Sequence, residues 1–239
     1  MVATAGEFVG ELAKNNRVIV IEGLAVVVHG FNRPTMDADI WLDPLDSSRA
    51  WVEVILLTCA KFTGLTLHTL PGWREVSGDE LRIAAEEVGL LRVTGLDCPL
   101  DIFRTPNEFT PEAFDEVHAR SAPNRDGTRL PDPLDLIITK LDTGREKDLM
   151  DTRFLESVVR KRYLVVMPTA SLEEVKQLFA RFLDWEVCAG ALESPDSSVR
   201  EFAKECLRDL AGDGDPFARA LLEQQRIPYL QTGLDDNVE

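Results

Sequence analysis

The chain has 239 residues, is 44% hydrophobic and 28% charged, and carries a formal charge of −16. That length can bury a full core and suffices for one large domain or two small ones. The charge repels nucleic acid in general, so an RNA ligand needs a local basic patch and a basic protein partner is equally admissible. No apolar run approaches the roughly 20 residues of a bilayer span. The N-terminus also lacks a basic stretch followed by an apolar one, so a cytoplasmic location is expected.

The pattern predicts a short helix over residues 7–14, leading into the strand Val18–Ile21, four β-branched residues in a row. "LAVVVHG", between Gly23 and Gly30, reads as a short buried helix. "DADIWLDP" is the next strand, stopped by Pro44, and residues 47–64 form a helix with a serine cap that ends at Gly64. A loop with Pro71, Gly72 and Gly78 precedes a helix in "GDELRIAAEEVG". "LLRVTG" and "PLDIF" are strands joined tightly around Gly95. A helix capped at Thr110 follows, then a turn, the helix "LDLIITKL", and a helix over residues 145–162 with an apolar stripe at Leu149, Phe154, Leu155 and Val158.

From Pro168 onward strand signals vanish and three helices are expected, before a polar, acidic tail "TGLDDNVE". The expected fold class is α+β: a mixed β-sheet with flanking helices, followed by a helical C-terminal lobe. The expected division is an α/β core over residues 1–132 and a helical region over residues 133–239. Cys59, Cys98, Cys188 and Cys206 are far apart, with neither zinc-site spacing nor a dense disulfide pattern, and read as small core residues.

Three features bear chemistry. Glu22-Gly23 ends a strand and begins a helix, a geometry that can aim backbone N–H groups at a phosphate. Asp37 and Asp39 lie two apart, on one face of an extended chain. "PLDIF" offers a third carboxylate, Asp101, with Asp97 four residues away as the alternative. Three carboxylates on neighbouring strands form a hard oxygen site suited to Mg²⁺, and two such ions can serve an attacking and a leaving oxygen. The plainer reading of each feature is a solvated strand edge, a strand end or a charged helix face. On that reading His29 bonds free carbonyls at a helix end, Arg33 pairs with an aspartate, and Lys147 pairs with Asp151. "RKR" at 160–162 is a solvated helix end or a basic patch for RNA.

The run "EGLAVVVHGFNRPTMDAD" and the later "ITKLDTGREKDLMDTRFL" together resemble the nucleotidyltransferase fold of the DNA polymerase β superfamily. They are most similar to small bacterial nucleotidyltransferase proteins, some of them toxins of toxin–antitoxin pairs. The matching positions are Gly23, Ala25, His29, Gly30, Arg33, Thr35, Asp37 and Asp39, then Lys140, Arg145, Lys147, Asp148 and Asp151, within residues 8–160.

The resemblance implies Asp37, Asp39 and Asp101 as catalytic metal ligands for two Mg²⁺ ions, with Asp101 also a base. It implies Gly23 at the phosphates of an NTP, and Lys140, Arg145 and Lys147 as counter-charges. The implied reaction moves a nucleoside monophosphate to an acceptor hydroxyl on an RNA end such as tRNA, a protein or a small molecule. One position departs from the pattern: Glu22 stands where the family has the first glycine of its pair. The alternative is therefore a catalytically degenerate binding protein of this fold, for instance a toxin–antitoxin component with an antitoxin partner.

Overall fold

Alternation of apolar and polar residues along three central strands gives the sheet one packed face and one face that carries charge. The structure is a computed structural model and describes residues 2–141 and 145–229. In chain order its elements begin with α1 (Ala5–Ala13), β1 (Val18–Val20), α2 (Glu22–Val28), β2 (Ala38–Leu42) and α3 (Ser48–Cys59). The hairpin β3 (Thr66–Thr69) and β4 (Arg74–Glu75) follows, then α4 (Asp79–Glu87), β5 (Leu90–Thr94) and β6 (Leu100–Phe103). Next come α5 (Ala113–Arg120), β7 (Ala122–Pro123), β8 (Arg129–Leu130), α6 (Pro133–Ile138) and α7 (Glu146–Val166). The chain closes with α8 (Leu172–Arg181), α9 (Trp185–Leu192), α10 (Ser197–Gly212) and α11 (Pro216–Gln224).

The eight strands form one mixed sheet in the order β4-β3-β5-β6-β2-β1-β8-β7. Among the described residues only β2–β6 and β1–β8 pair in parallel. Ala38, Ile40 and Leu42 of β2, Leu100 and Ile102 of β6, and Leu91 and Val93 of β5 join one core with Phe8, Leu12, Trp51 and Ile55 from α1 and α3. The alternate residues point to the other face. There Trp41 packs with Ile19, Ile21, Phe114 and Val117, and its Nε1–H donates to the Arg104 carbonyl at 3.1 Å. A second cluster on α2 joins Val20, Ala25 and Val26 to Leu136 and Leu155. Both faces are covered, so all five residues of β2 are buried.

The chain forms two compact units, Met1–Glu156 and Ser157–Glu239. The expected class stands: a mixed sheet with flanking helices, then helices alone after β8 among the described residues. Several details differ from the sequence pattern. The "loop" around Pro71 and Gly72 is the β3–β4 hairpin, with His68 paired to Glu75 and Thr69 to Arg74; its strands are too short for a period to register. The two-residue strands β7 and β8 are hidden in turn-rich sequence for the same reason. Helix α5 starts at Ala113 after Glu112, not at a Thr110 cap.

The first C-terminal helix is two. The helix run stops at Phe182, and the Asp184 carboxylate caps α9 by accepting from Glu186 N and Val187 N. In α7 the inward stripe is Asp148, Asp151, Leu155 and Val159, whereas Leu149 is 58% exposed. Two aspartates, and not Leu149, begin the buried face. The acidic tail lies outside the described residues.

Candidate functional site

The charged face of the sheet gathers its carboxylates where β2 and β6 run side by side. In their parallel register Asp39 lies opposite Asp101. Asp37 sits one residue before β2, and the Thr35 hydroxyl donates to its backbone carbonyl at 3.0 Å. One oxygen from each of Asp37, Asp39 and Asp101 can be chosen so that all three lie within 4.8 Å of one another. Asp39 is 7% exposed and Asp101 5% exposed. Burial, then the charges of Asp37, Asp101 and Glu22, push the Asp39 carboxyl up to about 8, against the pull of Lys140. Without an added positive charge, Asp39 is therefore largely protonated at neutral pH.

Asp97, the alternative third carboxylate, is elsewhere: it accepts from Ala5 N at 2.7 Å and Cys98 N at 3.0 Å, at the start of α1. Asp101 is held instead by a residue that motif reading overlooked. Arg92 lies opposite Asp101 in the antiparallel β5–β6 pair. Its Nε and Nη2 donate to the two carboxylate oxygens at 2.6 and 2.7 Å. The guanidinium also lies over the Trp73 ring, 3.6 Å from its centroid. A lone arginine inside the apolar strand "LLRVT" was the available signal, and the tight Gly95 turn sets its register.

A cleft of about 520 Å³ opens over these groups. One side follows β3–β4 and β5, with Leu70, Trp73, Leu90 and Arg92; the other follows α2, α6 and α7, with Glu22, Lys140, Arg145 and Lys147. Lys140 has a 1% exposed side chain, and its Nζ lies 3.0 Å from Glu22, 3.1 Å from Asp151 and 3.5 Å from Asp148. Burial pulls its pKa down, but the Glu22 and Asp151 carboxylates outweigh that and leave it raised.

Arg33 donates to both Asp151 oxygens at 2.7 Å, and Arg145 to Asp148 at 2.5 Å. Three cations and three carboxylates thus form one network. Asp151 turns inward to Arg33 and Lys140, so the expected Lys147–Asp151 surface pair gives way to this arrangement, and Lys147 is exposed.

Gly23 is buried at the start of α2, where a Cβ would come within 3.0 Å of both Arg33 Nη2 and Thr35 Oγ1. Its lack of a side chain lets Arg33 cross to Asp151. Glu22 itself has φ +52, in the left-handed region that favours glycine. His29 is structural: its Nε2 lies 2.9 Å from the Pro131 carbonyl oxygen and bonds it. Arg160 of "RKR" donates to both Asp184 oxygens at 3.0 and 2.8 Å, which steadies the α9 cap.

The structure therefore brings Asp37, Asp39, Asp101, Gly23, Lys140, Arg145 and Lys147 to one cleft. No helix among the described residues is long and apolar enough to cross a membrane. No protein-family model and no curated protein matches the chain. Among solved structures, a provisionally named nucleotidyltransferase from H. pylori aligns over 91% of this chain and 92% of its own, with 14% identity and a TM-score of 0.37. An overlap that loose carries no argument about fold or function.

Proposed function

We propose that this cleft is a Mg²⁺-dependent nucleotidyltransferase site, which moves a nucleoside monophosphate from an NTP to an acceptor hydroxyl. The observation that carries the reading is the set of three strand carboxylates within 4.8 Å, beside a wall of cationic side chains. The order of the two sequence blocks supports it independently. The donor set fits a hard divalent cation: all donors are carboxylate oxygens, two of the three groups are buried, and burial with neighbouring like charge raises the Asp39 carboxyl. Asp37, Asp39 and Asp101 would hold the metal. When bound, Mg²⁺ supplies the charge that lets Asp39 ionise, and it polarises the phosphoryl oxygens.

The chain's own groups do the rest. Lys140, Arg145 and Lys147 offset the negative charge of the polyphosphate. Gly23 keeps the turn after β1 slim enough for a phosphate to approach. The acceptor oxygen bonds to the α-phosphorus while the bond to the bridging oxygen of the β-phosphate breaks. Pyrophosphate leaves, and the acceptor proton passes to Asp101. The acceptor is an RNA end, a protein or a small-molecule hydroxyl, and the work falls to the α/β core of residues 1–132 with the cations of the following helices.

One observation favours a second reading. Glu22 sits at a glycine-type φ and is bonded to Lys140, as a degenerate binding protein with an antitoxin partner would allow. The test is label transfer from each of the four alpha-labelled NTPs to extracted RNA and protein, with Asp37→Ala and Asp39→Ala as controls. Mg²⁺-dependent labelling lost in both variants supports transfer. No labelling, together with no nucleotide binding, overturns it.

A further inference from the structure

We infer that Glu22 is an internal stand-in for a phosphate: its carboxylate occupies the Lys140 ammonium and thereby lowers the cleft's affinity for polyphosphate. This deepens the transferase reading and rests on it for the identity of the natural donor, but the contact itself is a property of the structure. Three observations carry it. Glu22 holds φ +52, a conformation that disfavours a side chain, so the residue is kept there against a local backbone cost. Its Oε2 lies 3.0 Å from Lys140 Nζ, inside the cleft that both residues line. The nearby cations are already engaged, with Arg33 on Asp151, Arg145 on Asp148, and Lys140 shared among Glu22, Asp148 and Asp151.

Of those three carboxylates, Glu22 alone stands at the first residue of α2, directly after β1. Asp148 and Asp151 are buried on α7, with side-chain exposures of 2% and 0%, whereas that of Glu22 is 18%. It is therefore the most accessible of the three acceptors and the one that an incoming oxyanion can displace by a side-chain rotation. An anion entering the cleft must turn the Glu22 side chain away from Lys140 or share the ammonium with it. Either course also brings two like charges together, which weakens binding. A divalent cation at the aspartate cluster meets a different competitor, the Arg92 guanidinium on Asp101, and does not contend with Glu22.

Removal of the carboxylate should let inorganic polyphosphate bind without any nucleotide chemistry. The experiment is calorimetric titration of inorganic tripolyphosphate, without divalent metal, into the full-length wild type, Glu22→Gln and Glu22→Gly. Glycine suits φ +52, so Glu22→Gly should keep its melting temperature, which is measured alongside. Both variants should bind tripolyphosphate at least about tenfold more tightly than wild type, the gain expected when one charged hydrogen-bond acceptor stops competing.

Equal binding by all three proteins, or binding by none, overturns the stand-in. A gain in Glu22→Gly alone overturns it too, because space and not charge would then be the obstacle. Failure of the transferase reading is separate: it would appear as no Mg²⁺-dependent label transfer by any of the three proteins, whatever their tripolyphosphate affinity.

Discussion

At the scale of single residues, the site is defined by charges that are costly to bury and by the partners that make them tolerable. Asp39 is the clearest case. Its carboxyl, raised to about 8 in the folded protein, titrates near 4 in the unfolded chain. Folding is thus favoured by its bound proton below about pH 4, and that contribution is lost as pH rises through about 8. Metal-free Asp39→Asn should therefore lose less stability than wild type between pH 4 and 8, as read by thermal melts across that range. Binding of Mn²⁺ to the wild type should strengthen over the same interval and release a proton, which titration in buffers of different ionisation enthalpy detects.

Arg33 has the converse role, because it pairs with Asp151, which is fully buried. Arg33→Ala leaves that carboxylate with the Lys140 ammonium at 3.1 Å and should cost about 3 kcal/mol of stability in urea unfolding. A loss below about 0.5 kcal/mol would show that Arg33 is a surface residue in effect.

At the scale of elements, the β5–β6 hairpin sets the geometry on which the third carboxylate depends. Gly95, at its turn, has φ +93, and a Cβ there would drive into the Gly64 carbonyl oxygen. Gly95→Ala should cost more than about 2 kcal/mol, and any folded fraction should show weakened divalent binding because Arg92 and Asp101 lose register. Unchanged melting would contradict that role.

Much of this level was legible in the sequence. Val18–Val20, Ala38–Leu42 and Leu100–Phe103 announced themselves by β-branched or apolar runs, and Ser48–Cys59 by its serine cap. The β3–β4 hairpin and the strands β7 and β8 were not legible, since two to four residues cannot display a period. Nor was Arg92 named, because its meaning comes from the residue across the strand and not from any neighbour in the chain. Asp148 and Asp151 look like an ordinary solvated helix face in sequence; only the packing of Lys140 and Arg33 against them shows that they point inward.

At the scale of the whole molecule, a chain of charge −16 surrounds a cleft whose lining carries five acidic and five basic side chains. The site balances acidic against basic side chains inside an acidic field. A nucleotide therefore approaches against long-range repulsion, which salt screens over about 10 Å at moderate ionic strength. Its association rate should rise as salt is added, opposite to the behaviour of a steered ligand, and stopped-flow measurement with a fluorescent nucleotide across a salt series reads this directly.

The central claim, that the three aspartates and the cations opposite them form one metal–nucleotide site, needs no knowledge of the acceptor to be tested. Titration of a non-hydrolysable NTP into wild type and Glu22→Gly, each with and without Mg²⁺, should show metal-dependent binding that Asp37→Ala and Asp39→Ala abolish. The absence of metal-dependent binding in both wild type and Glu22→Gly would contradict it.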